Sequence, residues 1–264
     1  MLSSRRRRIL ELTRQRGFVS IEALADHFSV TPQTIRRDIN ALCAQDLLRR
    51  YHGGAGLPSS VENEPYPTRR VRQLAEKRKI GELVADAVPD RASLFVNIGT
   101  TTEAVARALV RREGLRVITN NLNVAATLSD NPGYEVIVAG GLVRSRDRGI
   151  VGEAAIDLIR QFKVDIGIIG ISGIDPDGSL LDFDYREVRV AQAIIENSRA
   201  VYLVADHTKF GRNALVRLGS LEQIDTLFTD RAPPPEMMER LREAKVEVRF
   251  PQEDEARQES DGAA

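Results

Sequence analysis

The chain carries one cysteine, Cys43, no tryptophan, and only three histidines, His27, His52 and His207, far apart in sequence. A lone thiol excludes an internal disulfide and fits a reducing compartment. With one Cys and three scattered His, a zinc cluster lacks its ligands, and no metal is expected. No apolar run approaches membrane-spanning length. The Arg5–Arg8 run leads into the charged ILELTRQR instead of the apolar stretch of a signal peptide. These absences point to the cytoplasm and away from a membrane. Neither GxxxxGK(S/T) nor GxGxxG occurs, so neither a nucleoside triphosphate nor a dinucleotide cofactor is indicated.

Net charge is missing too, but only on average. The 264 residues balance 38 Lys and Arg against 38 Asp and Glu. Residues 1–80 hold 16 basic and 8 acidic side chains, so the remainder is acidic by the same margin. A basic head on an acidic body fits a nucleic-acid reader joined to a part that does not touch nucleic acid. The length suits about two domains.

The head centres on Ser20–Gly54, SIEALADHFSVTPQTIRRDINALCAQDLLRRYHGG. Ser20 N-caps a helix with Ile21, Leu24, Ala25 and Phe28 on one face, and Ser29 and Val30 make a turn. Thr31 caps a second helix with Pro32 at its first position, where the missing N–H costs nothing. Ile35, Ile39 and Leu42 form the apolar side of that helix. Gln33, Arg37 and Asn40, flanked by Thr34 and Arg36, form the opposite side. Arg suits guanine edges, Gln and Asn suit adenine edges, and Thr near the N-terminus suits phosphate. A solvated polar face is the alternative, but the helix pair, the Thr-Pro cap and the basic flanks favour double-stranded DNA, with Ser20 and Thr31 at the helix starts counted among its contacts. Arg49, Arg50 and His52 lie on a strand that enters a Gly turn and add backbone or minor-groove contacts. Arg5–Arg16 forms a preceding helix with Ile9, Leu10 and Leu12 inward, and its arginine run suits phosphates. Cys43 falls in the second helix, where it serves as small packing.

This stretch resembles the DeoR family of bacterial regulators, whose winged helix-turn-helix carries the pattern VTPQTIRRDI followed by a wing. The head is accordingly expected at 1–57 and a linker rich in Pro, Gly and Ser at 58–75. A helix is expected from the charged 69–79 to about Val88. An α/β domain follows at 76–250, with a disordered acidic tail at 251–264. From Ser93, the apolar runs SLFVNIG, LRVITN, YEVIVAGG, VDIGIIGIS, AVYLVAD and IDTLFTD alternate with helical patterns near 101–110, 121–129, 153–161 and 185–197. That alternation predicts an α/β fold whose parallel sheet is covered by helices on both faces.

Ligands of such sheets sit beyond the C-terminal strand ends. Those ends read Asn97-Ile98-Gly99-Thr100-Thr101-Thr102, Thr119-Asn120-Asn121, Gly140-Gly141, and Asp206 with Lys209. The first runs from a strand through Gly99 and three hydroxyls into a helix, which suits a phosphate; a plain Thr cap on a βα loop has the same appearance. Lys209 and Arg212 supply cations to an anionic ligand or form a loop salt bridge, and Asp206 suits a hydroxyl. Asp182, Asp184, Tyr185 and Glu187 read equally as ligand contacts and as helix capping.

This half resembles the DeoR sensor domain, related in fold to sugar-phosphate isomerases and CoA transferases. The (D/N)xGTT loop, TNN segment, GG pair and DxxKF segment line its effector pocket. The resemblance thereby implies effector roles for Gly99, Thr100, Thr101, Thr102, Asn120, Asn121, Gly140, Gly141, Asp206 and Lys209. RRYHGGA, SSVEN, NIGTTTE, QFKVD, GISGIDPDGSLLDFDY and KFGRNALVRLG resemble, within that family, members that answer glycerol 3-phosphate. The expected molecule is therefore a repressor. It binds operator DNA as a homo-oligomer, dimer or tetramer, and is released by a small phosphorylated metabolite. An isomerase-like enzyme with a DNA-binding head is the alternative. It would use Asp206 and Glu187 as acid and base, but no motif specific to catalysis supports it.

Overall fold

The computed structural model describes residues 3–45, 47–57 and 61–252. The head runs α1 (Ser4–Arg16), β1 (Phe18–Ser20), α2 (Ile21–Phe28), α3 (Pro32–Ala44), β2 (Arg49–Tyr51) and β3 (Gly54–Gly56). Ser20 and Thr31 cap α2 and α3 as their spacing predicts, accepting from the backbone N–H groups of Ala23 and Thr34. Ser29 ends α2 in the left-handed conformation. Ile9, Leu24, Ile35, Ile39 and Leu42 close the head's core, with Cys43 packed at its margin. The strands form a small antiparallel sheet in the order β1-β3-β2. Strand β1 is an addition to the expected wing, because its three residues are too few for a period to show in the sequence.

Two helices bridge to the second domain, α4 (Tyr66–Val71) and α5 (Leu74–Ala87). The expected linker is thus helical over much of its described length. Pro65 and Pro67 start α4 instead of breaking structure, at its N-cap and within its first turn, where a missing N–H costs nothing. Tyr66 Oη lies 3.0 and 3.1 Å from the two Glu103 oxygens, and Asn123 Nδ2 donates to Tyr66 Oη at 3.0 Å. These bonds fasten α4 to the α/β domain. The tail expected beyond 250 lies, from residue 253, outside the described residues.

The α/β domain continues β4 (Ser93–Val96), α6 (Thr100–Leu109), β5 (Arg116–Thr119), α7 (Leu122–Leu128), β6 (Glu135–Val138), β7 (Leu142–Val143), β8 (Ile150–Val151) and α8 (Glu153–Ile159). It closes with β9 (Val164–Gly170), β10 (Gly173–Ile174), β11 (Ser179–Asp182), α9 (Tyr185–Glu196), β12 (Ser198–Val204), β13 (Val216–Ser220), β14 (Thr226–Phe228), α10 (Pro235–Glu243) and β15 (Glu247–Arg249). Seven strands form one sheet in the order β15-β14-β12-β9-β4-β5-β6, and each of its pairings is parallel. Alternation along the strands decides which face each residue joins. Leu94, Val96, Val117, Ile166 and Ile168 pack with residues of α5, α6 and α7. Phe95, Ile118, Ile169 and Leu203 pack on the other face with residues of α8, α9 and α10. Hairpin β7-β8 and the antiparallel set β10-β11-β13 stand apart from the main sheet. No described helix is long and apolar enough to cross a membrane.

The chain passes from β4 outward to β5 and β6, then returns to place β9 on the other side of β4. Connections therefore diverge between β4 and β9. In open parallel sheets such a switch point opens a crevice at the strand ends.

Candidate functional site: a cationic front and a switch-point cavity

On α3 the residues Gln33, Arg36, Arg37 and Asn40 are exposed and Thr34 is half-buried, while Ile35, Ile39 and Leu42 turn inward. Arg49, Arg50 and His52 are exposed on and after β2, and Arg50 Nη1 approaches Asn40 Oδ1 at 3.5 Å. The wing and α3 thus present one polar, cationic front. Ser20 and Thr31 are committed to capping, and the Thr31 and Thr34 hydroxyls lie 3.0 Å apart. The arginine run before them differs from its sequence reading. Arg5 and Arg6 clamp the buried Asp38 carboxylate of α3 at 2.5 and 2.8 Å, and Arg8 pairs with Glu11. Burial alone would raise the Asp38 carboxyl, but the hydrogen bonds and charges of Arg6 and Arg5 outweigh it and hold it below the usual carboxylate range. Two arginines expected at phosphates therefore brace the reading helix.

At the switch point lies a cleft that opens to solvent. Gly99, Thr100 and Thr101 form its floor after β4; Gly170, Ile171 and Ser172 follow β9; Asp206, Thr208, Lys209 and Arg212 follow β12. Asp182 and Glu187 close one end, while Glu64, Arg69, Arg72, Gln73 and Lys77 cover it from the bridging helices. Gly99 has φ 153°, where a side chain is strained, and an added Cβ would stand 3.2 Å from Thr102 Oγ1. No side chain caps α6, so its first N–H groups, with the positive end of the helix dipole, are left for an anion.

Five cations and four carboxyl groups line the cavity. Burial pushes the Lys77 ammonium down to about 8, Lys209, Arg69 and Arg72 deepen the fall, and Asp206 opposes it. Burial and the Asp182 charge push Glu187 up to about 7 against the pull of Arg144, and burial also raises Asp182. Burial would raise Asp206 as well, but Lys209, the Thr208 hydroxyl and Lys77 hold it below the usual range. Five cations against four carboxyl groups leave a net positive field that suits an anion. The carboxyl groups can accept hydrogen bonds from hydroxyl groups, and donate to them when protonated.

The structure brings Gly99, Thr100, Thr101, Asp206 and Lys209 to this cavity and leaves five other expected residues outside its lining. Thr102 turns inward, its Oγ1 within 2.8 Å of the carbonyls of Asn97 and Gly99. Asn120 donates to the Ile150 carbonyl at 3.1 Å, while Asn121 N-caps α7 and approaches Glu103 at 3.4 Å. Gly141 abuts the backbone of Val151, where a Cβ would come within 2.8 Å of its carbonyl oxygen; Gly140 precedes it at the start of the β7-β8 hairpin. Strand order accounts for Gly140–Gly141, which follow β6, two strands from β4 on the side away from β9. Asn120 and Asn121 follow β5, no farther from the switch point than β12, and are instead committed to the Ile150 carbonyl and the α7 cap.

Arg69, Arg72 and Lys77 are the cations among the lining residues that sequence reasoning missed. Lys77 had a signal. It shares the buried face of α5 with Ile80, Gly81 and Val84, and a lysine there needs a partner. Arg212 is settled as a wall residue, donating to the Ser172 carbonyl at 3.1 Å and to Asn63 Oδ1 at 3.0 Å. Of the polar group near α9, Asp184 is the N-cap and Glu187 faces Arg144 at 2.8 Å.

A model described as the DeoR C terminal sensor domain matches residues 72–231, and one described as a DeoR-like helix-turn-helix domain matches residues 5–61. The chain belongs to the DeoR family. It is 55% identical over 240 residues to the "Glycerol-3-phosphate regulon repressor" of Escherichia coli (strain K12), covering 91% of this chain and 95% of that one. The Haemophilus influenzae protein of the same name is 52% identical over 88% of this chain and 90% of its own. Among solved structures, a ribose 5-phosphate isomerase A from Methanocaldococcus jannaschii aligns with TM-score 0.40 and 12% identity, over 52% of this chain and 55% of that one.

Proposed function

We propose that this DeoR-family protein is a cytoplasmic repressor of a carbon-catabolism regulon that leaves its operator when glycerol 3-phosphate fills the switch-point cavity. The observation that carries this reading is the pairing of an uncapped α6 N-terminus with five cations in one cavity, on a chain whose α3 presents Gln33, Arg36, Arg37 and Asn40 to solvent. The phosphate occupies the Gly99–Thr101 turn beside Lys77, Lys209 and Arg212. The glycerol hydroxyls face Asp182, Glu187 and Asp206. Family membership and the names of the curated relatives support the repressor role and the choice of effector. Operator binding takes a homo-oligomer, because one helix-turn-helix reads too few base pairs for useful specificity.

The paired carboxyls Asp182 and Glu187, with Glu187 at about 7, are the feature an isomerase would share. The reading front on α3 has no place in such an enzyme. The test is operator binding by fluorescence anisotropy, on promoter fragments of glycerol-catabolic operons, with and without glycerol 3-phosphate. Weaker binding in its presence is expected. Equal binding with and without it, or no binding at low salt, overturns the proposal. Interconversion of aldose and ketose phosphates by the pure protein would favour the enzyme.

A further inference from the structure

The cavity and the reading head share one side chain. Arg72 lines the cavity, yet its Nη2 donates to the carbonyls of Cys43 and Ala44 at 3.3 and 3.4 Å, at the C-terminal end of α3. Its Nη1 pairs with Glu64 Oε1 at 2.9 Å. The same residue C-caps α4, and its own carbonyl, with that of Arg69, receives the Lys77 ammonium. The other end of α4 is held to α6 through Tyr66 and Glu103. Helix α4 is therefore a strut fastened to the sensor at one end and to the reading helix at the other.

The last carbonyls of a helix carry the negative end of its dipole and attract a cation. A phosphate dianion is a stronger partner, because it binds guanidinium through charge-assisted, bidentate bonds. A phosphate held bidentately on the Nη1–Nη2 edge would redirect the two nitrogens that now serve Glu64 and the α3 carbonyls. Lys77 adds a second pull, since an anion beside it competes with the Arg69 and Arg72 carbonyls for its protons.

Resting on the function proposed above, we infer that Arg72 is the coupling residue between effector and operator. Phosphate draws its guanidinium away from the Cys43 and Ala44 carbonyls, and α3 loses its tether to the sensor. Paired heads then no longer hold the spacing that an operator requires. Linkage makes the relation reciprocal: operator DNA, which needs the tether, weakens effector binding by the same factor.

The test begins with wild-type protein, glycerol 3-phosphate as probe and inorganic phosphate as control. Thermal shift reports binding, and hydrogen exchange of the segment 39–45 reports the tether. Stabilisation with lost protection at the end of α3 is expected. Stabilisation with unchanged protection overturns the coupling while leaving the effector assignment standing. Absence of stabilisation overturns both.

Arg72→Gln and Arg72→Lys are then compared at saturating probe by the ratio of operator Kd with and without it. Wild type should show a ratio within the range of about 5- to 150-fold usual for allosteric coupling. Arg72→Gln should fall to within about twofold of unity, and Arg72→Lys should lie between, since an ammonium keeps the charge but not the fork. A merely structural arginine would shift both Kd values and leave their ratio intact, which overturns the inference. Should the variants fail to melt cooperatively, the wild-type exchange experiment decides alone.

Discussion

With the phosphate beside Lys77 as proposed, effector binding should depend on pH in a direction set by that lysine's surroundings. Its ammonium sits among Lys209, Arg69 and Arg72, opposed by Asp206, and burial is the largest cause of its fall from 10.5 to about 8. That displacement corresponds to about 3 kcal/mol held against the charged form. A single negative charge about 4 Å away supplies roughly 4 kcal/mol at an effective dielectric of about 20, enough to restore the proton. The sign follows from linkage. In the empty protein Lys77 is depressed, so its penalty on folding is present below about pH 8 and is relieved as pH rises toward 10.5. In the complex the ammonium is retained, so binding takes up a proton once pH exceeds about 8. The phosphate ester, with a second pKa near 6, stays dianionic throughout that range.

Between about pH 7.5 and about pH 9 the affinity for glycerol 3-phosphate should therefore fall roughly eightfold. Isothermal titration in two buffers of different ionisation enthalpy should show uptake of about three quarters of a proton near pH 8.5. Lys77→Met should bind more weakly at neutral pH and lose this slope. A flat wild-type profile, or the same slope in Lys77→Met, refutes the placement of the phosphate beside Lys77.

The other predictions concern single contacts. Thr101→Val keeps shape but removes a hydroxyl from the cavity floor, so effector affinity should drop by about tenfold while operator affinity in its absence stays put; titration of both checks this. Gly99→Ala should cost about 1–3 kcal/mol of thermal stability through strain at φ 153°, and unchanged melting would contradict the turn geometry. Arg37→Ala should lose about 1–3 kcal/mol of discrimination at one operator position and little non-specific binding, as read from competition with mutated operators. Asp38→Ala removes the acceptor that Arg5 and Arg6 share. Since both arginines are about one-third exposed, the loss of stability should be on the order of 1 kcal/mol, measured by denaturant unfolding.

The head was legible because local rules and tertiary packing agree there. Ser20, Thr31 and Pro32 mark helix starts, and Ile35, Ile39 and Leu42 mark the buried face at a period the structure keeps. The parallel sheet was legible for a similar reason: six of its seven strands stand out as apolar runs. Strand β15, EVR, did not, because a three-residue edge strand has almost no period to read, and the nine-residue helix α10 that precedes it went unread with it. The cavity was legible only in part. The turn at Gly99 follows a strand that flanks the switch point and the Asp206–Lys209 segment follows the next strand beyond β9, and the place of any of these strands in the sheet, those before TNN and GG included, cannot be read from a single sequence. The cations of the bridging helices were hidden by composition. Charge and proline together read as linker, although those prolines start α4 and those charges cover the site.

That misreading bears on the proposed release from the operator. A ligand shifts an equilibrium only by its differential affinity for the two states. A tenfold weakening of operator binding takes about 1.4 kcal/mol, and a hydrogen bond to a charged group contributes about 1.5–3 kcal/mol. One guanidinium exchanged between two helix-end carbonyls and a phosphate is therefore sufficient, without any remodelling of the sheet. The geometry is economical for the same reason. Lys77 and Arg72 lie on opposite sides of a single break between α4 and α5, at Arg72–Gln73, where Gln73 adopts φ 50°. A sensor that had to move its packed core would disturb buried side chains such as Phe95 and Phe228, at several kcal/mol for each misplaced residue. Moving a strut at its one irregular joint avoids that cost, so the exposed bridging segment, and not the sheet, is where substitutions should uncouple effector from operator while leaving both bound.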